Sequence, residues 1–264
     1  MNTDSLNKRI ILALDVSTVE EAKNIVNKLK DKIKFYKVGL QLFLVGGTDF
    51  LKWLKDQDVD IMLDLKFFDI PRTIDAAINQ VQEYARYLTV HSQCNILNKI
   101  SEEYRKKILG VTVLTCFEDD DVTHDCSPVY NHHDMRVTNF VRTRTLDTCD
   151  AHCAGVVLSG LDLTDSRMYL KCQRNSYHNF VFVVPGIQLE QKRQDDQKRV
   201  TTIEDAFENG ADYIVIGRPI LQSINMIETV ELAQEKISKF GIRLGIATDL
   251  PYIIHKYPEG EINN

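Results

Sequence analysis

The chain has 264 residues, 44% of them hydrophobic, and a net charge of −6. It can bury a substantial core, and its pI of about 5.7 argues against a nucleic-acid binder or a ligand of anionic membranes. No apolar run approaches the roughly 18 residues of a membrane span. The polar start, Met1 to Lys8, is too short for a signal peptide, so the six cysteines are expected to be reduced thiols in a cytoplasmic protein.

The run Arg9-Ile10-Ile11-Leu12-Ala13-Leu14-Asp15 is apolar and closed by an acid, the pattern of a buried parallel strand. Thr18 then precedes Val19-Glu20-Glu21-Ala22, a capped helix start with acids in its first turn. Ala22, Ile25, Val26 and Leu29 continue at helical spacing. Phe35 to Gly39 is a second strand, with Lys37 near its end. Gly46-Gly47-Thr48 is expected to form a turn with a helix cap, ahead of a helix over Leu51 to Lys55. Val59 to Asp64 is the third strand, and it leads into Leu65-Lys66-Phe67-Phe68-Asp69-Ile70-Pro71. Side chains two apart on a strand share a face, so Asp64 and Lys66 project together while Leu63 and Leu65 face the other way. Alone, that pair fits a structural ion pair at a strand end as well as a functional one.

Pro71 to Tyr84 reads as a helix with proline at its first position. Strands follow at Tyr87 to His91, Ile108 to Thr115, Gly155 to Gly160, Phe180 to Gly186 and Ala211 to Arg218. The polar stretch Glu118 to Asp134 reads as a long loop. Cys149 and Cys153 would share a face of one helix with His152 off to the side, which is no metal site. Eight strands separated mostly by helical segments imply an α/β protein with a single closed (β/α)8 barrel, a TIM barrel, over residues 1–240. Residues 241–264 form an extension without an assigned role. An open doubly wound sheet is the alternative, but Leu14-Asp15-Val16-Ser17 lacks its glycine-rich fingerprint.

In such a barrel the C-terminal strand ends build the active site. Asp15, Lys37, Asp64 with Lys66, His91, Thr115 and Ser159 fall there. The loops after the seventh and eighth strands carry Pro185-Gly186-Ile187 and Gly217-Arg218-Pro219. They look built for phosphate, with open backbone N–H groups beside glycine and a bidentate charge on Arg218.

These pieces, with Asp64-Leu65-Lys66-Phe67-Phe68-Asp69-Ile70-Pro71-Arg72-Thr73 and Asp196-Gln197-Lys198-Arg199, make the chain resemble the orotidine 5'-monophosphate decarboxylases. The resemblance runs in family order from about residue 9 to about residue 223. It implies decarboxylation of orotidine monophosphate to UMP in pyrimidine biosynthesis, with no cofactor or metal. Lys66 would protonate C6, and Asp64 would lie beside the substrate carboxylate and hold Lys66. Lys37 and Asp15 would bind ribose hydroxyls. Asp69, a further catalytic residue, and Thr73 would reach into the neighbouring subunit's site of a homodimer. Thr115, Ser159 and Pro185 would contact substrate, and Gly217, Arg218 and Gln197 would hold phosphate, Gln197 from a lid spanning about Gln188 to Val200. Gln188 stands where many bacterial members have arginine. The small-molecule nucleotide would be the partner, with no nucleic acid and no membrane. The alternative is a sugar-phosphate lyase or synthase resembling hexulose-phosphate synthase, which shares Asp-x-Lys-x-x-Asp. The Pro-Gly-Ile loop followed by Asp-Gln-Lys-Arg is more particular to the decarboxylases.

Overall fold

The computed structural model describes residues 8–126, 136–173, 179–189 and 199–243. Eight parallel strands close into a barrel: β1 (Ile10–Ala13), β2 (Phe35–Gly39), β3 (Asp60–Phe67), β4 (Tyr87–His91), β5 (Ile108–Val111), β6 (Gly155–Val157), β7 (Val181–Val184) and β8 (Tyr213–Ile216). Each strand pairs with its successor, and β1 closes on β8 with Ile10 opposite Ile214 and Leu12 opposite Ile216. Several expected boundaries move; β6, for one, ends at Val157 rather than Gly160, which opens a helix. β5 stops at Val111 rather than Thr115, so Val113 to Thr115 become loop at the mouth, and β3 runs on to Phe67.

The strands are apolar on both faces because both faces are covered. Ile11, Phe35, Met62, Leu109, Val183 and Val215 pack together inside the barrel. Ile10, Leu12, Tyr36, Leu63, Leu88 and Ile214 pack outward under the helices. The period of two along each strand therefore decides which side chains meet at the centre.

The end opposite the mouth is plugged. Arg86 precedes β4, and its guanidinium lies 5.7 Å from the Phe35 ring centroid, 5.3 Å from Tyr87 and 5.7 Å from Tyr213. Its Nη1 donates to Asp60 Oδ2 at 2.6 Å and its Nη2 to the Tyr213 hydroxyl at 3.0 Å. All four partners are first residues of strands, so one cation ties four strands together by charge and by ring faces.

The helix Val19–Leu29 starts at Thr18, whose Oγ1 accepts the Glu21 N–H at 3.2 Å. The next helix is longer than expected, Leu40–Lys55, and Gly47 breaks it with φ 53° and ψ −154°, a conformation open to glycine and strained for other residues. The stretch expected to be loop from Glu118 carries a helix at Asp119–Cys126. Three acids in its first turn complement the exposed N–H groups there. Residues 127–135 lie outside the described residues. The cysteines expected on one helix do not share one. Cys149 lies in Val137–Asp150, and Cys153 lies beyond its end, after His152 in the left-handed region at φ 56°. The last helix, Met226–Arg243, runs through the boundary expected at residue 240, and residues 244–264 lie outside the described ones. Among the described residues, no helix is long and apolar enough to cross a membrane.

Candidate active site

A cavity of about 510 Å³ opens at the C-terminal ends of the strands. Asp15, Lys37, Asp64, Lys66, Thr115, Pro185, Gly217 and Arg218 line it, so most of the expected site residues meet in one place. Met62, Val111, Val113, Leu114, Val157, Leu158, Ile187 and Val215 form its apolar wall. Ser159 is not in the lining. Its side chain is buried, and Oγ accepts the Leu161 N–H at 3.3 Å at the start of the helix Gly160–Gln173. Asp69 and Thr73 are also outside this lining and are exposed. Asp69 Oδ1 accepts the Ile70 N–H at 2.6 Å, and Phe68 and Ile70 on either side are 60% and 66% exposed. Gln197, expected on phosphate, and most of the expected lid lie outside the described residues.

The charges form an alternating chain. Lys37 Nζ is 3.0 Å from Asp15 Oδ1 and 3.4 Å from Asp64 Oδ2, and Lys66 Nζ is 2.8 Å from the same Asp64 oxygen. The side chains of Lys37 and Asp64 are only 13% and 10% exposed. Burial on its own would raise the Asp64 carboxyl, but Lys37 and Lys66 beside it, with hydrogen bonds from Lys66 and Thr89, hold it below the usual carboxylate range. Burial would lower the Lys37 ammonium, but Asp64 and Asp15 lift it above the usual lysine range. Each group keeps the other charged inside a poorly solvated mouth.

The backbone under this chain is irregular. Lys66 has φ 49°, and the pairing of β3 with β4 shifts register between Leu63 and Phe67. Lys66 and Asp64 still meet, while Leu63 and Leu65 pack outward as the alternation predicts. Thr89 of β4 bridges the irregularity. Its Oγ1 accepts the Lys66 N–H at 2.9 Å and donates to Asp64 Oδ1 at 2.9 Å. Sequence reading missed Thr89, because a threonine in an apolar strand is also an ordinary strand former.

His91 ends β4 beside the main cavity. It packs edge-on against Phe68 at 5.6 Å and lines a smaller cavity of about 240 Å³ that shares Val113 and Leu114 with the larger one. Burial, then Arg144 and Lys66, push its imidazole below the ordinary histidine range.

The opposite wall is made of Pro185, Gly186, Gly217 and Arg218. Gly186 has φ 75°, which explains glycine there. A side chain at Gly217 would place Cβ 3.3 Å from Ala13 Cβ and 3.4 Å from Asp15 Oδ2, so glycine lets the backbone come close to the mouth. Ile187–Gln188 pairs with Thr201–Thr202 as a two-stranded ribbon, which brackets residues 190–198. Among the described residues, no group of three or more His, Cys, Asp or Glu side chains is placed to hold a metal ion.

A closed (β/α)8 barrel with its ionisable groups gathered at the strand C-terminal ends is an enzyme's architecture. The chain belongs to the orotidine 5'-phosphate decarboxylase / HUMPS family, whose model matches residues 8–233, and it is an enzyme of the carboxy-lyase kind. A Methylococcus capsulatus protein named orotidine 5'-phosphate decarboxylase is 38% identical over 236 residues, which cover 87% of this chain and 91% of that protein. A Nitrobacter winogradskyi protein of the same name is 35% identical over 232 residues, covering 85% and 90%. The fold matches the crystal structure of the Lactobacillus acidophilus orotidine 5'-phosphate decarboxylase with a TM-score of 0.72 at 24% identity, over 87% of this chain and 98% of that one. For the Pyrococcus horikoshii orotidine 5'-phosphate decarboxylase the values are 0.66 and 25%, over 87% and 99%.

Proposed function

We propose that the chain converts orotidine 5'-monophosphate to UMP and CO2 in de novo pyrimidine biosynthesis, without an organic cofactor or metal. The observation that carries this reading is the Asp15–Lys37–Asp64–Lys66 chain, with Lys66 Nζ 2.8 Å from Asp64, in a mouth whose far wall carries Arg218. The C6–carboxylate bond breaks and leaves its electron pair on C6. Lys66 then delivers a proton to C6 and is left as the amine. Asp64 holds Lys66 on target and lies beside the departing carboxylate. Lys37 and Asp15 take the ribose hydroxyls, and Thr115 and Pro185 border the base. Arg218 and Gly217 hold the phosphate, joined by Gln197, and contacts made far from C6 supply binding energy for orientation.

We further propose a homodimer in the cytoplasm, with each subunit lending Asp69 and Thr73 to its partner's site. The support is their exposure outside their own cavity, flanked by the exposed Phe68 and Ile70. The barrel, residues 1–240, would be the catalytic unit.

The test is a spectroscopic assay of orotidine monophosphate loss with purified protein in EDTA. Loss of substrate matched by UMP formation is expected. Inactivity on this nucleotide alongside turnover of a hexulose phosphate would overturn the proposal and assign the sugar-phosphate branch of the family.

A further inference from the structure

We propose that Thr89 is a positioning residue for this reaction: one buried hydroxyl fixes both the carboxylate of Asp64 and the backbone of Lys66, and so sets the aim of the proton donor. The inference rests on the decarboxylase reading above.

Thr89 is 0% exposed. It lies two residues after the inward-packed Tyr87 on β4, so it also faces the barrel interior. Its two hydrogen bonds have a forced direction. The Lys66 N–H can only donate, so Thr89 Oγ1 accepts it at 2.9 Å. The hydroxyl proton is then free for Asp64 Oδ1, also at 2.9 Å. Asp64 is thereby committed at both oxygens, with Oδ1 on Thr89 and Oδ2 shared by Lys66 and Lys37. A carboxylate held at one oxygen cannot swing the other away from the lysines.

The same hydroxyl supports an unfavourable backbone. Lys66 sits at φ 49°, a region sparsely used by residues with side chains. The register shift between β3 and β4 brackets this residue, and Thr89 receives its N–H. A valine of similar shape would take this partner from the part-buried Lys66 N–H and from the buried Asp64 Oδ1. A serine would keep both bonds.

The charged groups around Asp64 are Lys66 on its own strand, Lys37 from β2 with Asp15 behind it, and His91 at the end of β4. The hydrogen bond from Thr89 is among the contacts that keep the carboxyl ionised. Its loss should therefore be visible as a titration as well as a rate.

The experiment compares wild type, Thr89→Val, Thr89→Ser and Thr89→Cys. In Thr89→Val, kcat should fall about ten- to a hundredfold, as expected for a lost hydrogen bond to a charged group. KM should change far less, and the acid limb of the kcat profile should move to higher pH. Thr89→Ser should recover most of the rate, and Thr89→Cys should fall between. A carbon-13 titration of the Asp64 carboxyl, which needs no turnover, should move upward in Thr89→Val. If wild type does not decarboxylate the nucleotide, the functional reading fails, and the titration still judges the contact. The inference is overturned by Thr89→Val with wild-type kcat and an unmoved titration. Equal losses in valine and serine variants with an unchanged pH profile also overturn it. If Thr89→Val does not fold, Thr89→Cys decides, and full activity with an unmoved acid limb sinks the proposal.

Discussion

Lys66 Nζ and Asp64 Oδ2 are 2.8 Å apart although the strand that carries them is irregular, with Lys66 itself in the left-handed region at φ 49°. The contact survives that irregularity, in a mouth where the Asp64 side chain is only 10% exposed. If that ammonium is the proton donor, Lys66→Ala should lower kcat by about 10²–10⁴-fold, the usual worth of a positioned general acid. Binding of UMP should suffer much less. Steady-state kinetics with isothermal titration of UMP checks this, and a near-normal kcat would remove Lys66 from the chemistry.

The same network makes a prediction about acid stability. The Asp64 carboxyl is held below its ordinary range in the folded chain, so its contribution is present above the unfolded value of about 3.9 and lost as pH falls through the lower folded value. The Lys37 ammonium is raised, so its contribution is present below about 10.4 and lost only as pH rises through the higher folded value. Stability from the pair should be flat across neutral pH. Thermal melts of wild type and Asp64→Asn should differ by a constant amount above about pH 5 and converge below about pH 4. Parallel curves down to pH 2.5 would contradict the assignment.

Arg218 separates phosphate binding from base recognition. Arg218→Ala should weaken UMP by about 1.5–3 kcal/mol, the range for hydrogen bonds to charged groups, and leave uridine nearly untouched. Competition binding with both ligands measures the difference. Equal losses would place the phosphate elsewhere and leave Arg218 a structural role.

Shared sites predict complementation between dead variants. In a two-fold dimer each subunit presents the same surface to the other. Mixing Lys66→Ala with Asp69→Ala subunits gives heterodimers with one site carrying both defects and one carrying neither. Random exchange at equal ratio should return about a quarter of wild-type activity by this symmetry. If a tag proves exchange and no activity returns, Asp69 acts within its own chain.

The barrel was legible because each of its eight strands is a short apolar run bounded by polar residues. The mouth was legible because Asp15, Lys37 and Asp64 interrupt or end such runs. Asp119–Cys126 carries no helical signal in the sequence, since only Val122 among its eight residues is strongly apolar and no periodicity emerges from so polar a stretch. Thr89 was invisible for another reason. Tyr-Leu-Thr-Val-His is a normal strand sequence, and the hydroxyl acquires its partners only when β4 pairs with β3, which places Thr89 beside Asp64 and the Lys66 N–H. Asp69 and Thr73 came from family resemblance alone, because local sequence does not show which subunit's site they face.

The Arg86 plug has a consequence for proton traffic. With that cation across the rings of Phe35, Tyr87 and Tyr213 and Ile11, Met62, Leu109 and Val215 packed above it, the described residues close the barrel floor, and Lys66 faces the cavity at the mouth. A nucleotide seated over Lys66 stoppers that mouth. On the proposed chemistry, the amine left after each turnover is recharged through the same mouth that UMP leaves by, so product release would precede the reset of the acid in the cycle.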